Sequence, residues 1–80
     1  MAVIDDLVAS GLSLTQAQAV IGVDSGTATA ADLVAQGFST TQATEILNVN
    51  AGTAGIDALV QQGLWGTQAT AIVAALAVTP

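Results

Sequence analysis

Apolar residues recur three or four positions apart in six short stretches of the chain, which is the spacing of one face of an α-helix. Three of these stretches, around Leu7, Leu33 and Leu59, end at a glycine four residues later. Each of the other three begins two residues after that glycine. The strict alternation that would predict a β-strand is absent. The pattern therefore predicts an all-α chain of six short helices.

The same pattern returns every 26 residues, and three copies fill the chain almost from end to end. Six positions are identical in all three copies, including a Thr-Gln-Ala tripeptide that begins at Thr15, Thr41 and Thr67. A fixed period of this length is typical of helical repeat proteins. We interpret the chain as a single domain, 1–80, of three tandem helical hairpins. The units cover about 1–26, 27–52 and 53–80.

Signals at the ends of the predicted helices support these boundaries. The glycine of each unit suits the left-handed residue that follows a helix, because glycine has no Cβ. The apolar residue after it is predicted to fold back on the leucine five positions earlier, as Leu12 would on Leu7. Ser13 with Gln16 forms the capping box that begins a helix, and the same pair recurs in unit two.

The first helices of units two and three have predicted caps at Thr27 and Thr53. Four of the six acidic residues fall early in the first helices, where the positive end of the helix dipole stabilises them. These residues are Asp5, Asp6, Asp32 and Asp57. We interpret them as structural residues rather than as a metal-binding or catalytic cluster.

Unit two has a recognisable order of features. The sequence Leu-Val-Ala-Gln-Gly-Phe-Ser at 33–39 is followed by Ala43 in a second helix, a glycine loop at Gly52 and an apolar third helix to Val60. This order resembles the ubiquitin-associated (UBA/CUE-type) three-helix pattern over about 30 residues. The resemblance implies compact three-helix packing, so the expected architecture is a compact UBA-like or solenoid-like bundle.

The same resemblance implies a binding surface. In that family the Gly-Phe loop and the end of the third helix contact ubiquitin. The matching residues here would be Gly37, Phe38, Leu59 and Val60, while Gln36 replaces the methionine that the family usually carries. A UBA-like module that binds a ubiquitin-like or helical partner is therefore an alternative function.

The amino-acid composition argues against most kinds of catalytic, metal-binding and nucleic-acid-binding site. The chain has no Lys, Arg, His or Cys, and its six acidic residues give a net charge of −6. Without His or Lys there is no base for a serine nucleophile and no Schiff-base amine, and without His or Cys the usual zinc ligands are missing. We expect no catalysis, no cofactor and no metal site. Nucleic-acid binding is not expected either, since it depends on Lys and Arg.

A membrane span is not expected from the apolar pattern. The longest uninterrupted apolar stretch, at 71–78, has eight residues, whereas a spanning helix needs about 20.

The third unit departs from the other two. Trp65 stands where they carry the capping serine, and no charged residue occurs from Thr67 to Pro80. A helix without a polar face requires burial, and tryptophan is enriched among residues that dominate interface energy. Trp65 could instead fill a gap in the core. The predicted partner-binding surface comprises Leu64, Trp65, Ile72, Leu76 and Val78.

These features favour a non-enzymatic structural or assembly protein. A small virion component, such as a phage capsid decoration or head-associated protein on the virion surface, fits a repetitive acidic chain that offers trypsin-like proteases no cleavage site. Its partner would be another copy, a capsid protein or a larger assembly, in a homo- or hetero-oligomer. A designed or consensus repeat is a third possibility, against which the irregular copies argue.

Overall fold

The computed structural model describes residues 3–76, and every regular element in this range is a helix. The predicted all-α class and the six helices are therefore confirmed. The helices are α1 (Val3–Ala9), α2 (Leu14–Ser25), α3 (Ala30–Ala35), α4 (Thr40–Ala51), α5 (Ile56–Gln61) and α6 (Gly66–Leu76).

The three short helices, α1, α3 and α5, end in the same way. The glycine two residues after each has a positive φ, 118° at Gly11, 106° at Gly37 and 96° at Gly63. The next backbone N–H donates to the carbonyl five residues earlier, as from Leu12 to Leu7 at 3.3 Å. This is the predicted fold-back, and it buries both leucines in the core.

The capping boxes of α2 and α4 form as predicted. The Oγ of Ser13 accepts a hydrogen bond from the N–H of Gln16 at 3.1 Å, and the side chain of Gln16 accepts one in return at 3.0 Å. Ser39 and Gln42 make the same pair of bonds. These bonds satisfy N–H groups that the first turn of a helix would otherwise leave without partners.

The predicted caps at Thr27 and Thr53 are wrong, because both residues complete the preceding helix. The N–H of Thr27 donates to the carbonyl of Gly22 at 2.8 Å, and Thr53 makes the equivalent bond to α4. Helix α3 has its N-cap at Thr29, two residues later, where the backbone N–H of Thr29 donates to Oδ2 of Asp32 at 2.9 Å. Helix α5 follows Gly55 without a side-chain cap.

The packing of the six helices closes on itself. The long helices α2, α4 and α6 contact one another, and each short helix packs against the long helix of its own unit and that of the preceding one. Helix α1 contacts α6, so the first and last units adjoin. In an open solenoid each repeat contacts only its sequence neighbours. The structure is thus a compact bundle, with extents of 28 × 25 × 22 Å.

Glutamines of the long helices link the units around this ring. The Nε2 of Gln42 donates to a backbone carbonyl of unit three at 3.0 Å. A Cβ built at Gly37 would lie 3.1 Å from Nε2 of Gln16. A Cβ built at Gly11 would lie 3.1 Å from Nε2 of Gln68, which closes the ring. Each glutamine therefore faces the turn of the next unit.

The core of residues 3–76 contains only apolar side chains. Each long helix is enclosed by the two other long helices and by two short ones. The buried side chains recur every three positions along each long helix: Val23, Val49 and Ala75 are buried, whereas Ile21 and its counterparts are half-buried. The core residues of the long helices are Ala17, Val20, Val23, Ala43, Ile46, Val49, Ala69, Ile72, Ala75 and Leu76.

Candidate functional site

The structure corrects the predicted partner-binding surface. Leu64, Ile72 and Leu76 are core residues with 7%, 0% and 2% exposure, so they are not available to a partner. The physical reason is the closed ring, in which α6 buries its apolar stripe against α1, α2, α4 and α5. Trp65 does lie on the surface, with 65% of its side chain exposed. Val78 lies outside the described residues.

Trp65 occupies the N-cap position of α6 and retains half of the capping box. Its backbone N–H donates to Oε1 of Gln68 at 2.9 Å, as the cap serines do to their glutamines. The reciprocal bond needs a side-chain oxygen, which tryptophan lacks. The third unit therefore loses one of the two capping bonds and presents an indole ring at this position.

The indole ring of Trp65 lies against the turn that ends α1. A Cβ built at Gly11 would stand 2.7 Å from Cζ3 and 2.9 Å from Cε3 of the ring. Only a glycine permits so close an approach, and the φ of 118° at Gly11 also favours glycine. The ring thus joins units three and one. It lies outside the core but is packed against the Gly11 turn.

A shallow open groove runs between α1 and α6 beside this contact. The Oγ1 of Thr67 donates to the carbonyl of Ser10 at 3.0 Å, which holds one part of the two helices together. Gly66, which follows Trp65, and Ser10, which precedes Gly11, belong to the groove. Its lining residues are Asp6, Ala9, Ser10, Gly66, Thr67, Thr70, Ala71 and Ala74.

At five of its eight lining positions the groove carries a smaller residue than the equivalent contact between α4 and α5. Ser10 corresponds there to Gln62 and Ala74 to Asn48, whereas at the α2–α3 contact the counterparts are Gln36 and the smaller Gly22. Gly66 corresponds to larger residues in both other long helices. The difference between the copies is visible in the sequence, but only the tertiary contacts place α1 beside α6.

The electrostatic character of the groove is negative. Asp6 lines it, and the neighbouring Asp5 is also exposed. The sequence contains no Lys, Arg or His to balance them. A ligand that carries positive charge would therefore be attracted to this surface, and an anionic one would be repelled.

The residues that match the ubiquitin-contacting positions of the UBA pattern are divided between core and surface. Phe38 and Leu59 are core residues, with 4% and 0% exposure. Gly37 and Val60 are exposed. The two apolar side chains that the resemblance assigns to the binding surface thus stabilise the interior of this bundle.

Among residues 3–76, no three His, Cys, Asp or Glu side chains form a group that could hold a metal ion. Within the described helices, none is long and apolar enough to span a membrane.

No protein-family model matches the chain, and no curated protein or solved structure is detectably similar to it.

Proposed function

We propose that this protein is a non-enzymatic assembly component that acts by contacting another protein. The observation that carries the proposal is the exposed Trp65 at a position where the two other units have a cap serine. The exchange removes a bond that contributes about 1 kcal/mol to helix stability. An aromatic ring that is retained at such a cost to local stability favours a role in recognition, where tryptophan is enriched among the residues that dominate binding energy.

A small virion protein, such as a phage capsid decoration or head-associated protein, is the specific form of this proposal. Its support is the small, compact, acidic body with no basic side chain. A negative surface suits the outside of a shell rather than its nucleic-acid-facing side. The absence of Lys and Arg also leaves no site for trypsin-like proteases on an exposed particle.

The experiment that tests this proposal is isolation of assembled particles from the native source by density-gradient sedimentation. Quantitative mass spectrometry then gives the ratio of this chain to the major shell protein. A fixed ratio across independent preparations supports the proposal. Absence of the chain from washed particles would contradict it.

The matched variant for the same experiment is Trp65→Ser, which restores the residue of the other two units. Loss of Trp65→Ser from the particles, with the native chain retained, supports a role for the indole ring in contact. The solution mass of the native chain and of Trp65→Ser, measured alone, shows whether self-association depends on the same ring.

The alternative, a UBA-like module for a ubiquitin-like partner, has weaker support because Phe38 and Leu59 lie in the core. Micromolar binding to a β-grasp protein that is lost in Phe38→Ala, provided the variant remains folded, would favour this alternative.

A further inference from the structure

We propose that the groove between α1 and α6 binds a protein segment that presents an aliphatic side chain flanked by Lys or Arg, with Trp65 contacting the bound segment. This inference rests on the proposed function, because it names the chemistry of the partner surface for the same contact.

The length of the groove suits a short extended segment. Its lining on α6 runs from Gly66 to Ala74, which is about 12 Å at about 1.5 Å per residue. An extended chain advances about 3.3 Å per residue, so three or four residues of a partner fit along it. The groove is therefore a site for a peptide-like segment rather than for a broad surface.

The floor of the groove favours an apolar side chain. Ala9, Ala71 and Ala74 supply methyl groups, and Gly66 leaves space beside them. The ring of Trp65 is fixed at one edge by its contact with Gly11 but remains mostly exposed. A ligand that covers the remaining ring surface would remove a large apolar area from water.

The charge of the chain decides among the possible occupants. Asp6 lines the groove, the exposed Asp5 precedes it in α1, and the sequence offers no basic side chain to neutralise them. A second copy would bring its own charge of −6 and no Lys or Arg. Nucleic acid and acidic lipid would be repelled in the same way. A segment with Lys or Arg beside its apolar residue is attracted by the carboxylates, and its cation can also stack on the indole ring.

Three synthetic peptides, each acetylated and amidated at its ends, test this chemistry. They are Gly-Arg-Leu-Arg-Gly, its acidic analogue Gly-Glu-Leu-Glu-Gly, and Gly-Arg-Gly-Arg-Gly, which lacks the apolar side chain. Trp65 is the single tryptophan of the chain and tyrosine is absent, so indole emission reports directly on this position. We expect a saturable blue shift with the first peptide and at least about tenfold weaker binding of the other two.

The matched variant fills the groove with the residues found at the equivalent contact between α4 and α5. Ser10→Gln together with Ala74→Asn places larger side chains there and leaves Trp65 in position. We expect at least about tenfold weaker binding of Gly-Arg-Leu-Arg-Gly. The control is Gln36→Ser, the reverse exchange at the α2–α3 contact, which should bind like the native chain. Circular dichroism confirms that each variant is folded.

Equal binding of the three peptides, or unchanged binding to the filled groove, would overturn the inference. A concentration-dependent emission shift of the chain alone would also overturn it, because the occupant would then be a second copy. If particles contain the native chain and incorporate the filled-groove variant equally well, the inference fails while the proposed function stands. If the first peptide binds selectively but particles lack the chain, the binding chemistry is supported and the virion role fails.

Discussion

The indole ring of Trp65 covers Gly11 so closely that a Cβ at residue 11 would stand 2.7 Å from Cζ3. This contact joins the last unit of the chain to the first. It lies at the only one of the three unit boundaries where a tryptophan occupies the N-cap position of the long helix. The boundary that carries the candidate groove thus has its own local structure.

Trp65→Ser should increase the stability of the fold. Serine at this position can accept the bond from the N–H of Gln68, which restores the capping box seen at Ser39. The expected gain in the free energy of unfolding is up to about 1 kcal/mol, reduced by the lost contact with Gly11. Urea denaturation followed by circular dichroism measures it. The matched variant Ser39→Ala should lose about 1 kcal/mol. A less stable Trp65→Ser protein would mean that ring packing outweighs the cap.

Gly11→Ala should destabilise the protein more than Gly37→Ala does. Both glycines have positive φ, where a Cβ costs about 1–2 kcal/mol. At Gly37 a Cβ would meet only the end of a glutamine side chain, whereas at Gly11 it would meet the indole ring.

Chemical denaturation of the two alanine variants gives the difference, and Trp65 emission should change only in Gly11→Ala. Repeating the comparison in a Trp65→Ser background should remove most of the additional destabilisation of Gly11→Ala. If Gly11→Ala remains more destabilising than Gly37→Ala in that background, the backbone conformation alone accounts for the difference.

Ile72→Ala should destabilise the bundle by about 2–5 kcal/mol, as expected when a fully buried side chain leaves a cavity. Ile72 has 0% exposure, and Val60, a control on α5, has 44%. Val60→Ala should change the free energy of unfolding by less than about 0.5 kcal/mol. Thermal unfolding monitored by circular dichroism distinguishes them. Similar small effects of both substitutions would contradict the buried position of Ile72.

Asp24→Asn and Asp57→Asn should have opposite effects on stability. Asp24 lies in the last turn of α2, and its Oδ1 is buried without a hydrogen-bond partner. Asp57 lies in the first turn of α5. A carboxylate is unfavourable at the negative end of a helix dipole and favourable at the positive end, each by about 0.3–1 kcal/mol.

Urea midpoints at low ionic strength should therefore rise for Asp24→Asn and fall for Asp57→Asn. Asn50, the counterpart of Asp24 in unit two, already donates to the carbonyl of Val23 at 3.5 Å. A fall in both midpoints would show that the Asp24 carboxylate is stabilised by its surroundings.

Errors in the predicted details have a common origin. The sequence pattern predicts Thr27 as a cap of α3 because threonine is an equally good signal at the end of α2 and the start of α3, and the hydrogen bond to Gly22 decides between them. The pattern predicts Ile72 and Leu76 on a surface because an apolar terminal helix in an open row of units would have no neighbour. Contact with α1 supplies that neighbour.

The sequence by itself determined the six helices, because capping boxes such as Ser13 with Gln16 and the glycine turns act between residues a few positions apart. Only the tertiary structure decided that the units close into a ring and that a groove lies between α1 and α6. Closure depends on the rotation between successive units, which no short-range pattern encodes. It brings Thr67 to the carbonyl of Ser10 and places Trp65 over Gly11, and these contacts between distant residues create the candidate site.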